Sequence, residues 1–109
     1  MQLKTPYSKF FSVPLTDALA IEVEYAITAG IPVPFVVRLM TQIAGKKHCI
    51  SRFDSAHLQD SPHRDILGLH SGLRGKVFYP ELDYRCAVQY AILDFKAHGQ
   101  NYFQDFLLH

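Results

Sequence analysis

Asp54 and His57, then His63 and Asp65, fall within one polar stretch, RFDSAHLQDSPHRDIL, that also carries Arg52 and Arg64. A carboxylate that orients an imidazole makes a general acid–base pair. Arginines beside such a pair suit phosphodiester cleavage in RNA. One imidazole takes the 2′-hydroxyl proton, the other protonates the leaving oxygen, and a guanidinium steadies the charge on phosphorus. On that reading His57 and His63 are the base and acid, Asp54 is the orienter, and Arg52 and Arg64 are the phosphate contacts. The reaction needs neither metal nor cofactor.

The same residues admit two other readings. Asp54, His57, His63 and Asp65 offer two nitrogens and two oxygens to a metal ion. Their spacing matches no recognised metal motif, so no metal is assigned. The stretch can also be a polar loop, with Asp54 closing an Asx-turn on its own backbone and both histidines solvated.

The run Arg52-Phe53-Asp54, His57, then Pro62-His63 resembles the Arg-aromatic-Asp-x-x-His … Pro-His pattern of small prokaryotic proteins of the TumE toxin type and related uncharacterised families. Those proteins often carry a second histidine two places after Pro-His, where this chain has Asp65. The resemblance implies a prokaryotic toxin–antitoxin or mobile-element setting, an antitoxin-like protein partner, and strands ahead of a C-terminal helix; RNA is the substrate of the acid–base reading above.

The elements that must position these residues follow from pattern. AIEVEYAI, residues 20–27, alternates apolar and polar side chains and predicts a strand with one wet face. FVVRLMTQI, residues 35–43, and KHCISRF, residues 47–53, predict a hairpin across an AGK turn. Residues 54–63 read as a loop, DILGL as a short strand, SGLRG as a turn, and KVFYP as a last strand. Asp83 is suited to cap a helix over Tyr84–His98 that stops at Gly99, with a shorter helical segment after it. The expected fold is therefore α+β over residues 1–109 as a single domain. About five strands form an antiparallel meander, packed against a long C-terminal helix and a short terminal one.

That helix carries two apolar stripes when its residues are spaced at about 100°. Cys86, Tyr90, Leu93 and Ala97 form one; Tyr84, Ala87, Val88, Ala91 and Phe95 form the other. A helix resting on a sheet needs only one. The second stripe must meet the Tyr102–Phe103–Phe106–Leu107 cluster folding back on it, or another subunit. Tyr84, Val88, Ala91 and Phe95 are the residues expected at such an interface. A noncatalytic homodimer or partner-binding module is the leading functional reading, and the small ribonuclease is its alternative.

Composition narrows the field. Eleven basic and ten acidic side chains leave a net charge of +1, without the basic excess of a dedicated nucleic-acid binder. Cys49 and Cys86 form no CxxC and read as buried thiols of a reducing compartment. Tyr7, Phe10 and Phe11 can stack on bases, but packing is their expected role. No apolar run approaches the roughly 18 residues that span a bilayer, and no secretory leader is expected. A cytoplasmic protein without membrane contact is the expectation.

Overall fold

A computed structural model describes residues 7–55 and 61–109. The fold is α+β, as the patterns predict. Six strands, β1 (Lys9–Pro14), β2 (Leu19–Thr28), β3 (Ile31–Ile43), β4 (Lys46–Asp54), β5 (His63–Gly68) and β6 (Gly72–Phe78), precede one helix, α1 (Tyr84–Leu108). The strands form a single antiparallel sheet in chain order.

Two tight turns fix the central register. Ala29–Gly30 joins β2 to β3 and Ala44–Gly45 joins β3 to β4, all four residues at positive φ. That geometry matches the right-handed twist of the flanking strands, and the glycine removes the Cβ clash at one position of each turn. β3 starts earlier than predicted and takes in Pro32 and Pro34. Its pairing with β4 begins only at Val36, and its ladder with β2 is irregular between Tyr25 and Ile27. The missing proline amides therefore fall where the ladder is one-sided or broken.

Two strand boundaries correct the pattern reading. Lys9–Pro14 pairs along β2, which raises the count from five to six. Gly72–Phe78 is continuous strand, so SGLRG is not a turn; its last four residues open β6. Glycine at 72 and 75 weakens the apolar alternation that marks a strand.

One face of the sheet carries the core. Ile21, Val23, Phe35, Val37, Leu39, Ile50 and Phe53 are buried there against Ala87, Ala91, Phe95 and Phe106 of α1. Phe53 is central, its ring 5.3 Å from both Tyr79 and Phe95 and 6.0 Å from Tyr90. The Phe95 and Tyr90 contacts are edge-to-face, which suits the quadrupoles of the rings.

Asp83 caps α1 as predicted, its Oδ1 accepting from the Arg85 amide at 2.8 Å. The helix does not stop at Gly99; it runs unbroken for 25 residues. Gly99 lies against the sheet instead. A Cβ there would sit 3.1 Å from Leu15 Cδ2 and 3.6 Å from Leu39 Cδ1. The glycine serves close approach of helix to sheet, and no separate terminal helix exists. Tyr102, Phe103 and Phe106 continue the inward stripe rather than folding back over the outward one. At its far end α1 meets the β5–β6 turn. The Leu69 amide donates to the Phe106 carbonyl at 3.0 Å, and the His70 and Ser71 amides donate to His109 at 3.2 and 3.0 Å. Among the described residues no helix is long and apolar enough to cross a membrane.

The assignment of the two stripes is the reverse of the expectation. Ala91 and Phe95 are fully buried against the sheet, and Tyr84 and Val88 pack beside them. Ala91 and Phe95 are core residues and cannot present a surface to another subunit; Tyr84 and Val88 are partly buried beside them. Sequence spacing separates two stripes but does not say which one the sheet takes. Ala87, Ala91 and Gly99 on the sheet-facing stripe let the helix approach closely between its larger side chains. The outward stripe is Cys86, Tyr90, Leu93 and Ala97, all exposed, with Leu93 at 57%. Cys86 is thus an exposed thiol, not a buried one.

Candidate functional site

The sheet face away from α1 collects most of the residues singled out above. Register alone places them. Ser12, Glu22, Arg38, Arg52, Asp65 and Lys76 are successive cross-strand partners from β1 to β6. Phe10, Glu24, Val36, Asp54, His63 and Phe78 form the neighbouring row. Charged side chains of both signs therefore cross the sheet in two lines.

Asp65 is the hub. Its side chain is 1% exposed, yet it accepts from Arg52 Nε at 2.6 Å and from Lys76 Nζ at 2.9 Å. Burial works to raise its pKa. The hydrogen bonds and charges of Lys76 and Arg52 outweigh burial and hold the carboxyl below its usual range. Arg52 responds in kind: burial opposes its charge, Asp65 overrides, and its pKa rises. Arg38 and Arg52 stand directly opposite each other on β3 and β4, where like charges repel. Arg38 is relieved by Glu24 at 2.9 Å and Arg52 by Asp65. Lys47 similarly binds Glu22 at 3.0 Å. The lattice neutralises itself.

His63 and Asp54 are register partners, so the structure does bring this pair together. The His63 side chain is largely buried, with Nε2 3.6 Å from Asp65 Oδ1 and its ring 5.7 Å from that of Phe78. Its Nδ1 is buried and has no hydrogen-bond partner among the described residues. Tyr7 reaches the same neighbourhood: burial first, then the Asp54 charge, raises its phenol pKa. Burial also pushes the Cys49 thiol up, although Arg52 and Arg38 oppose it. A protonated, half-buried thiol is not a poised nucleophile.

One member of the predicted set, His57, lies outside the described residues. Another does not join the rest. Arg64 lies on the other face, because it is the register partner of Phe53 and neighbours alternate along β5. Its guanidinium stacks 4.2 Å over the Tyr102 ring, and Nη1 donates to Ser51 Oγ at 3.2 Å. Tyr102 in turn donates to Asp94 Oδ2 at 2.8 Å. Burial, followed by this bond, raises the Tyr102 pKa. Arg64 thus ties β5 to α1 and cannot share a phosphate with Arg52. Among the described residues no three His, Cys, Asp or Glu side chains come together as a metal cradle.

Lys76 and Arg38 belong to the lattice but were not singled out from sequence. The signal was present: Arg38 shares parity with Glu22 and Glu24 across the β2–β3 turn. Lys76 carried none, because it is reached only through the β5–β6 register.

Two surface hollows lie elsewhere. One, of about 410 Å³, sits at the β1–β3 end of the open face between Phe10, Pro14, Ala18, Glu22, Met40 and Lys47. The other, of about 400 Å³, lies beside the start of α1, lined by Phe78, Tyr79, Pro80, Glu81, Leu82 and Tyr90. Phe78 and Tyr90 are exposed there.

Neither a curated protein nor a solved structure matches the chain. The whole of it, residues 1–109, matches the model of a domain of unknown function, DUF7718, and the chain belongs to that family.

Proposed function

We propose that this chain is a noncatalytic homodimeric module whose working surface is the outward stripe of α1. The observation that carries this is the exposure of Tyr90 and Leu93 on a helix whose other side already rests on the sheet. The C-terminal residues do not fold back over them, because they prolong the helix; Tyr90 rests one edge on Tyr79 and Phe53, and Leu93 is the more exposed of the two. Apolar surface left in water forgoes about 25 cal/mol per Å², so a contiguous stripe of this kind marks a binding surface. A second copy suits it on two grounds. Cys86, Tyr90, Leu93 and Ala97 follow the four–three–four spacing of a helix-pairing seam. A net charge of +1 sets almost no repulsion between copies. Two free thiols, Cys49 and Cys86, fit a reducing, cytoplasmic setting.

Light scattering at micromolar concentration should give twice the chain mass. Tyr90→Glu with Leu93→Glu should give a monomer with the same far-ultraviolet dichroism. A monomeric wild type would overturn the proposal.

The alternative, a metal-independent ribonuclease of a toxin–antitoxin system, draws on His63 Nδ1, which has no hydrogen-bond partner among the described residues, on the strand position opposite Asp54. With Arg64 on the far face and Arg52 committed to Asp65, it retains less of its machinery. RNA cleavage by the wild type that vanishes in folded His63→Ala would favour it.

A further inference from the structure

The hollow of about 400 Å³ beside the start of α1 is walled by rings. Tyr79 and Tyr90 meet there with centroids 5.5 Å apart and planes at 60° to each other, a corner rather than a stack. Phe53 packs on both, at 5.3 and 6.0 Å, and holds them from the core side. Pro80 and Leu82 extend the wall, and Tyr90 stays 40% exposed. The turn that carries these residues is already fixed. The Tyr79 amide donates to the Pro62 carbonyl at 2.8 Å, and the Leu82 amide to the Tyr79 carbonyl at 3.1 Å. A preformed, mostly apolar recess with a few placed polar groups is the usual form of a small-ligand site.

Charge selects the ligand. Among the described lining residues Glu81 alone is charged, and it is negative. The positive end of the α1 dipole would oppose a cation, but the Asp83 carboxylate already meets it at the cap. At the Tyr90 hydroxyl, Asp94 outweighs Arg64: burial, Tyr79 and then Asp94 raise the phenol pKa against the weaker effect of Arg64. Arg85, the closest cation in sequence, leaves the helix about 140° round from Tyr90. An anion would therefore meet carboxylates here, and a neutral ligand would leave Glu81 unused. An organic cation uses both features, with its charge against Glu81 and the tyrosine rings and its carbon against Pro80 and Leu82. A primary ammonium holds its water tightly. A quaternary ammonium has no N–H to desolvate and enters more easily.

We infer that this hollow binds a small quaternary ammonium compound between the Tyr79 and Tyr90 rings, with Glu81 as its counter-ion. The inference goes beyond the homodimer reading and does not depend on it, because Leu93 of the outward stripe is not part of the lining.

Choline titrated into the full chain, followed by amide chemical shifts, tests it. The shifts should centre on Glu81, Leu82 and Tyr90 and should saturate in the millimolar range. The neutral compound of the same shape, 3,3-dimethylbutan-1-ol, should bind at least about fivefold more weakly. Glu81→Gln, at an exposed turn position, and Tyr90→Leu should each weaken choline at least about threefold. Tyr90→Phe keeps the ring and should bind within about twofold of the wild type. Leu93→Glu, which disrupts the stripe and spares the hollow, should leave choline affinity unchanged. Equal binding of the neutral compound would make the hollow merely apolar and overturn the inference. So would choline shifts that never saturate, or affinity lost in Leu93→Glu. None of these outcomes bears on the homodimer, which light scattering decides separately.

Discussion

Arg52 and Arg64 leave the sheet on opposite faces. Arg52 lies in the open lattice on Asp65, and Arg64 lies under α1 on the ring of Tyr102. The two cations nearest the histidines in sequence therefore work on different sides of the same layer. Each has a structural partner that accounts for it. Among the described residues the open face is an ionic mat, and its energetics can be tested directly.

Arg52→Ala and Lys76→Ala should each cost about 1–2 kcal/mol in urea unfolding, and the double variant more than their sum. Either cation alone still compensates the buried Asp65 carboxylate; losing both leaves it unpaired. Both partners are about two-fifths exposed, which keeps the single costs below those of a fully buried pair. Strict additivity in the double-mutant cycle would show that Asp65 does not couple them.

Stability should fall at both ends of the pH scale, for different residues. Asp65 is held below the ordinary carboxylate range, so its contribution is complete above about pH 4 and disappears as pH drops through its folded value. Tyr102 is shifted upward, so its contribution is complete below about pH 10 and declines above it. Urea midpoints measured from acid to alkali should flatten on the acid side in Asp65→Asn, and on the alkaline side in Tyr102→Phe. A wild-type acid limb retained in Asp65→Asn would rule out that carboxylate as its source.

Phe95→Ala should destabilise the fold by about 3–5 kcal/mol, since it opens a cavity among Phe53, Tyr102 and the sheet. Leu93→Ala, two positions away on the outward stripe, should change the stability of the dilute chain by under about 1 kcal/mol. Chemical denaturation of the two variants separates core from surface on one helix. Equal costs would mean the stripes are misassigned.

Gly99→Ala should be nearly neutral. Alanine gains about 1 kcal/mol of helix propensity, and the tight approach of its Cβ to the flexible end of Leu15 removes much of that. Gly99→Val, which adds bulk against both Leu15 and Leu39, should cost about 2 kcal/mol or more. Thermal unfolding would decide, and a stabilised valine variant would mean that the helix does not lie that close.

Much of the fold was legible because β2 alternates, β3 and β4 are rich in strand-forming side chains, and Ala-Gly dipeptides mark the turns between them. The N-terminal strand was not, because Lys9–Pro14 places exposed phenylalanines on both faces and shows no wet and dry side. Gly99 misled for a physical reason: a glycine that ends a helix and one that lets a helix touch a sheet look alike in sequence. The candidate site failed at Arg64 for a related reason. With His63 read as loop, nothing forced Arg64 to the opposite face; once β5 begins at His63, alternation does. Both helix stripes could be counted, but the inward one is marked only by its continuation through Gly99, Tyr102, Phe103 and Phe106, which a helix stopped at Gly99 hides.

The three amides of the β5–β6 turn that end on Phe106 and His109 make the last helical turn a clasp for the outer hairpin. The sheet's far border is therefore fastened by the part of the chain made last. Until that clasp closes, β6 has only β5 to lean on, and the hairpin should be the final piece of the sheet to become protected from hydrogen exchange and the first to lose that protection.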